Sequence, residues 1–186
     1  MRKLIFLFVC TFLVLQSVFP QGKMTPEFLW KLGRVSDPQL SRDGKECLYN
    51  VRNISLQLNK GNSDIWKVNL ATGATMQLTK DSSNETSAKW SNDGKRIFYL
   101  NDKGGSSQLW SMNTDGSSQQ KESNLDFDIN SYGISPDGAR IWVTTDVKVD
   151  KSVKDLNPDL PKTSGRIYDD LMYRHWDTWA DGTYSH

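Results

Sequence analysis

The sequence predicts an all-β chain, part of a β-propeller with about two and a half four-stranded blades, following an N-terminal signal peptide. Three observations predict it. The pattern Ser-x-Asp-Gly recurs at Ser41–Gly44, Ser91–Gly94 and Ser135–Gly138, its aspartates 50 and then 44 residues apart. A second marker keeps step, because Asp64-Ile65-Trp66 and Gln108-Leu109-Trp110 put their tryptophans 44 residues apart. Helix-period segments are almost absent. A repeat in the forties, built of short strands and glycine-containing turns, marks propeller blades. A sandwich of similar strands has no reason to keep that spacing.

The chain opens on an address. Arg2 and Lys3 precede the apolar run Leu4–Leu15, which is the layout of a secretory signal peptide, assigned to residues 1–22. A membrane span needs about 20 apolar residues, and Gln16, Ser17 and Pro20 end this run early. Export to the periplasm or the extracellular space follows, with no stable membrane insertion after cleavage. An uncleaved anchor is the alternative, since no charge lies between Lys3 and Lys23. Cys10 leaves with the leader, and Cys47, in Cys47-Leu48-Tyr49, is expected as a buried strand thiol without a partner.

Thr25 to Leu32 is the one helical stretch, with Thr25 as N-cap and Pro26 in the first turn. Blades are then expected over 34–80, 81–124 and 125–186, the last incomplete. Within each, Ser and Asp suit the early positions of a type I turn and glycine the left-handed position that returns the chain. The strands that follow are Cys47–Val51, Arg96–Leu100 and Arg140–Thr144. Further hairpins turn at Ala71-Thr72-Gly73 and Thr114-Asp115-Gly116.

Composition removes several function classes. Among 186 residues, 23 Lys+Arg nearly balance 22 Asp+Glu, which excludes a basic nucleic-acid binder. Seven Trp, seven Phe and six Tyr supply the apolar area that a disordered chain lacks. Two cysteines make neither a disulfide framework nor a four-ligand zinc site. Propellers have about four to eight blades, so a front piece of a longer protein is expected.

Leu78-Thr79, Lys89 to Lys95, Ile97-Phe98-Tyr99 and Leu109 to Gly116 together resemble the TolB-like propeller repeat. The opening Met24 to Ser36 and the segment Ile167 to Trp179 narrow that resemblance to the prolyl oligopeptidase family of serine peptidases. The branch is the one of dipeptidyl-peptidase 5-like and acylaminoacyl-peptidase-like enzymes. The resemblance implies that the propeller gates and positions peptide substrate, while a C-terminal α/β-hydrolase domain, absent from this chain, holds the Ser-Asp-His triad. No Gly-x-Ser-x-Gly elbow occurs in the sequence, so no catalytic residue is assigned. The competing reading is a non-catalytic TolB-like propeller that binds proteins or peptides in the periplasm.

No cofactor is implied, because no Walker, dinucleotide, zincin or EF-hand spacing occurs. Asp43, Asp93 and Asp137 are expected to serve their own turns rather than a metal. Trp66, Trp90 and Trp110, at repeating positions, are expected on the faces between blades, uncovered where the array is open. The tail crowds charge and aromatic rings without repeat logic. The resemblance implies that acidic propeller residues hold a substrate's free amino terminus, and Asp169 and Asp170 suit that role, with Arg174 suited to a carboxylate or carbonyl. The alternative is a packed loop in which Arg174 pairs with Asp170 or Asp177.

Overall fold

A computed structural model describes residues 23–169 and 171–186. The expected leader, with Cys10, and Asp170 lie outside the described residues.

Helix α1 (Pro26–Lys31) starts as its sequence requires, with Thr25 Oγ1 accepting from Phe28 N at 3.2 Å. Two four-stranded antiparallel meanders follow. The first orders β1 (Arg34–Leu40), β2 (Glu46–Ser55), β3 (Lys60–Asn69) and β4 (Thr75–Gln77) side by side. The second repeats this with β5 (Glu85–Trp90), β6 (Arg96–Asn101), β7 (Gln108–Asn113) and β8 (Gln120–Lys121). These are the four-stranded blades that the repeat predicts.

The turn chemistry is repeated atom for atom. Ser41 Oγ donates to Asp43 Oδ1 at 2.7 Å, Lys45 N donates to the same oxygen at 3.1 Å, and Glu46 N donates to Ser41 Oγ at 3.0 Å. Ser91, Asp93, Lys95 and Arg96 reproduce the set at 2.6, 3.1 and 2.9 Å. Ser135, Asp137, Ala139 and Arg140 do so again at 2.5, 3.0 and 2.9 Å. Those hydrogen bonds hold all three aspartates below the usual carboxylate range, with the serine hydroxyl the largest cause. The turn glycines have φ of 68°, 69° and 73°, the left-handed region that excludes most side chains.

Strand alternation gives each sheet two working faces. On β6, Ile97 and Tyr99 join Leu48, Ile65 and Leu78 of the first blade, with Ala88 and Met112, in one buried cluster. Leu100, with the half-buried Phe98 beside it, points the other way, to a second cluster with Leu109, Ile129 and Tyr132. Trp90 and Trp110 pack against the first cluster, so they close the seam between blades 1 and 2 instead of lying uncovered. Trp142, at 56% exposed, and Val35, at 68%, are among the large apolar side chains left in the open. Cys47 is free but only half-buried, because its side of β2 faces away from blade 2.

The third blade departs from the repeat. β9 (Ser131–Ile134) pairs with β10 (Ile141–Thr144), and the same chain continues as β11 (Asp146–Lys148). β11 pairs with β14 (Thr183–Ser185), while Thr145 and His186 exchange backbone hydrogen bonds at 2.9 and 2.8 Å. The last described residues are therefore the third strand of this blade. The connection between second and third strands spans residues 56–59 in blade 1 and 102–107 in blade 2; in blade 3 it spans 149–182. Antiparallel order puts these three connections on one rim, opposite the Ser-x-Asp-Gly turns.

Candidate functional site

The 149–182 excursion carries every candidate site residue named from the sequence. Its base is stapled. Val149 N and Asp150 N both donate to Gly182 O, at 2.9 and 3.2 Å, and Tyr184 Oη donates to Asp150 Oδ2 at 2.8 Å. Gly182 has φ 78°, and a Cβ there would come within 2.8 Å of Asp150, so the crossing requires glycine. On the outgoing arm, α2 (Val153–Leu156), which the sequence pattern did not reveal, is fixed by a capping box between Ser152 and Asp155. Lys148 pairs with Asp155, and that contact is the main reason the carboxyl lies far below its ordinary range.

The tip is a two-stranded hairpin, β12 (Arg174–His175) against β13 (Thr178–Trp179). Three rings brace it: Tyr168, Tyr173 and Trp179 lie with centroids 5.3 to 6.1 Å apart. Arg174 sits 4.9 Å above the Trp179 ring and Arg166 6.0 Å from it, both in cation–π range. Tyr168 Oη donates to Ala180 O at 3.0 Å, closing the strand behind the rings.

This brace separates the candidates. Asp169 is exposed and lines a hollow of about 500 Å³ with Arg166, Tyr168, Leu171 and Tyr173. Arg174 lines another of about 590 Å³, with Met172, Tyr173, Trp176 and Trp179. Tyr173 borders both; the first pairs the Asp169 carboxylate with the Arg166 guanidinium, and the second carries Arg174. Arg174 is held by stacking on Trp179, not in an ion pair with Asp177, among the described residues. The loop is also less packed than its aromatic content suggests. Leu171 is 89% and Trp176 86% exposed, and Trp176 takes φ 52° at the hairpin turn, which costs a bulky residue and turns its indole outward. No sequence signal marks that outward presentation; the two-residue spacing between β12 and β13 is the only hint of the turn.

Chemically, Asp169 offers a carboxylate that accepts from a cation, and Arg174 offers donors to a carbonyl or carboxylate. Among the described residues there is no group of three metal-ligating side chains.

The TolB beta propeller domain family matches residues 28–166, most of the chain. The chain belongs to the TolB β-propeller family. Among solved TolB-family folds, a TolB protein from Agrobacterium tumefaciens is 23% identical and covers 61% of this chain with a TM-score of 0.51. The acylaminoacyl peptidase of Pyrococcus horikoshii, at 19% identity, covers 84% of this chain and 23% of its own with a TM-score of 0.63. Two curated relatives are nearer in sequence. Dipeptidyl-peptidase 5 of Porphyromonas gingivalis is 42% identical over 158 residues, 85% of this chain and 23% of the relative. Dipeptidyl-peptidase 5 of Porphyromonas endodontalis is 38% identical over 166 residues, 89% of this chain and 24% of the relative. The chain thus spans about a quarter of the relatives it matches, and the matched quarter is TolB-type propeller.

Proposed function

We propose that this propeller is the N-terminal part of an exported serine peptidase that removes dipeptides or single residues from oligopeptides. In this reading the 149–182 excursion receives the substrate's amino terminus, and a C-terminal α/β-hydrolase domain supplies the triad. The observation that carries the proposal is the excursion itself: it breaks the blade repeat, stands on the loop rim, and gathers Asp169, Arg174 and an aromatic brace at its tip. The similarity to dipeptidyl-peptidase 5, across 85% of this chain, supports the same reading.

The chemistry assigned to the chain is positioning. A peptide ammonium beside Asp169, with Asp170 next in sequence, gains charge-assisted hydrogen bonds, and a fixed end decides which bond reaches the nucleophile. Arg174 offers a planar donor fork to a backbone carbonyl. Removal of residues 1–22 delivers the protein outside the cytoplasm; a mature protein that retains Met1 by mass spectrometry excludes this. The test of the function is kinetic. In the intact protein, Asp169→Asn with Asp170→Asn raises KM for peptides with a free amino terminus about tenfold or more, and leaves amino-blocked peptides nearly unchanged. Equal losses on both substrates contradict it.

A further inference from the structure

Glu85 opens β5 in the seam between blades 1 and 2 and is 1% exposed. Its Oε1 accepts from Ser83 Oγ at 2.7 Å, but no donor among the described residues reaches its Oε2. Asn50 Oδ1 and Asp64 Oδ1 are in the same condition, in residues 2% and 6% exposed. Asn50 ties the group together, since its Nδ2 donates to Glu85 O at 2.6 Å and reaches Asp64 O at 3.4 Å. Three acceptor oxygens are therefore buried in one seam without a donor, an arrangement that native interiors avoid.

One proton changes this balance, because a carboxylic acid donates where a carboxylate only accepts. We propose that Glu85 and Asp64 together hold one proton at neutral pH, seated on Glu85, and that its loss loosens the contact between blades 1 and 2. The surroundings favour the neutral acid. Asp64 faces Glu85 from β3 and Asp81 from the loop between the blades, both bearing like charge. Tyr99 faces it from β6, its hydroxyl pushed up first by burial and then by Glu85. Lys103, beyond β6, is the facing cation, and its Nζ is engaged with Asp81 Oδ2 at 2.9 Å. Burial, then these carboxylates, against the Ser83 hydrogen bond and the influence of the neighbouring Thr79 hydroxyl, bring Glu85 up to about 7.

The folded value lies above the unfolded one of 4.5, so the seam is firmest at acid pH. It weakens as pH rises through the interval to about 7 and is constant above that. Glu85 stands where β5 leaves the inter-blade loop, on the excursion's rim, so opening there alters the ground on which that rim rests.

Hydrogen exchange of the intact protein, corrected for the intrinsic rate, reads the opening of peptides covering 46–55 and 85–90. Between pH 5.5 and pH 8 their opening constant rises about tenfold or more in the wild type, and less than about twofold in Glu85→Gln, which is neutral throughout. A flat wild type, as ordered water satisfying three ionised or neutral acceptors would give, overturns the proposal; so does a slope that survives in Glu85→Gln. Should that variant fail to fold, ¹³C titration of the wild-type Glu85 carboxyl decides. A midpoint near 7 supports the shared proton and one near 4.5 overturns it.

Discussion

Asn92 donates through its Nδ2 to both Ser135 O and Pro136 O, each at 2.8 Å, tying the second Ser-x-Asp-Gly turn to the third. Arg42, at the same position of the first turn, donates to Asn92 O at 3.3 Å. The variable residue of the first and second repeats is thus the link to the next blade, and the row of turns forms a chain along one rim. Asn92→Ala is expected to cost about 1 kcal/mol by urea unfolding. Arg42→Ala, more exposed, costs less. An Asn92→Ala variant as stable as the wild type would show that the link carries no stability.

The turn aspartates contribute to the acid limit of the fold. Asp43, Asp93 and Asp137 have folded values below the unfolded 3.8, so their stabilisation is present above about pH 4 and is lost as pH falls further. The sign is opposite to that of Glu85. A thermal midpoint followed from pH 6 to pH 2 should fall below pH 4, and Asp→Asn at all three positions should flatten that fall.

Tyr132 anchors blade 3 to blade 2. Its Oη donates to Ser87 O at 2.7 Å, and Lys89 Nζ donates to Tyr132 O at 2.6 Å while lying 4.8 Å from the ring. The ring is 1% exposed, and burial holds its hydroxyl well above the ordinary phenol range. Tyr132→Phe should cost about 1 kcal/mol and Tyr132→Ala about 3–5 kcal/mol, measured by urea unfolding. A Phe variant as damaging as the Ala variant would show that the hydroxyl, not the packing, dominates.

Which features were legible before the structure follows from their range in sequence. Each Ser-x-Asp-Gly turn is made by atoms within six residues, so local chemistry spells it, and the blade spacing follows. The same holds for Thr25 and α1. The bulges do not follow: Asp37 and Ser87, 50 residues apart, both take positive φ where the first strand of each blade slips register against the second. Neither residue type demands that conformation, and only cross-strand pairing reveals it. Glu85 reads in the sequence as an ordinary charged residue, because its burial comes from strands β2 and β3 far away in sequence. The tail reads as foreign to the repeat, but β14 is too short to distinguish from loop, and the outward set of Trp176 depends on a turn conformation unusual for tryptophan.

Trp179 holds the tip together through the Tyr168 and Tyr173 rings and the Arg174 guanidinium, while the tip contributes nothing to the two buried clusters. Trp179→Ala should therefore speed limited proteolysis between 165 and 181 yet change blade stability by less than about 0.5 kcal/mol. Loss of cooperative unfolding of the blades in that variant would show that the excursion is part of the core.

Excision is the sharpest test of whether the excursion, rather than the blades, receives the substrate's amino terminus. In the intact protein, residues 150–181 are replaced by a four-residue turn copied from Leu56–Asn59, and turnover of one peptide is compared with its amino-acetylated form. The expected outcome is folded blades, a fall in kcat/KM of about tenfold or more for the free peptide, and little change for the acetylated one. Undiminished turnover of the free peptide by a folded, excised protein would contradict it.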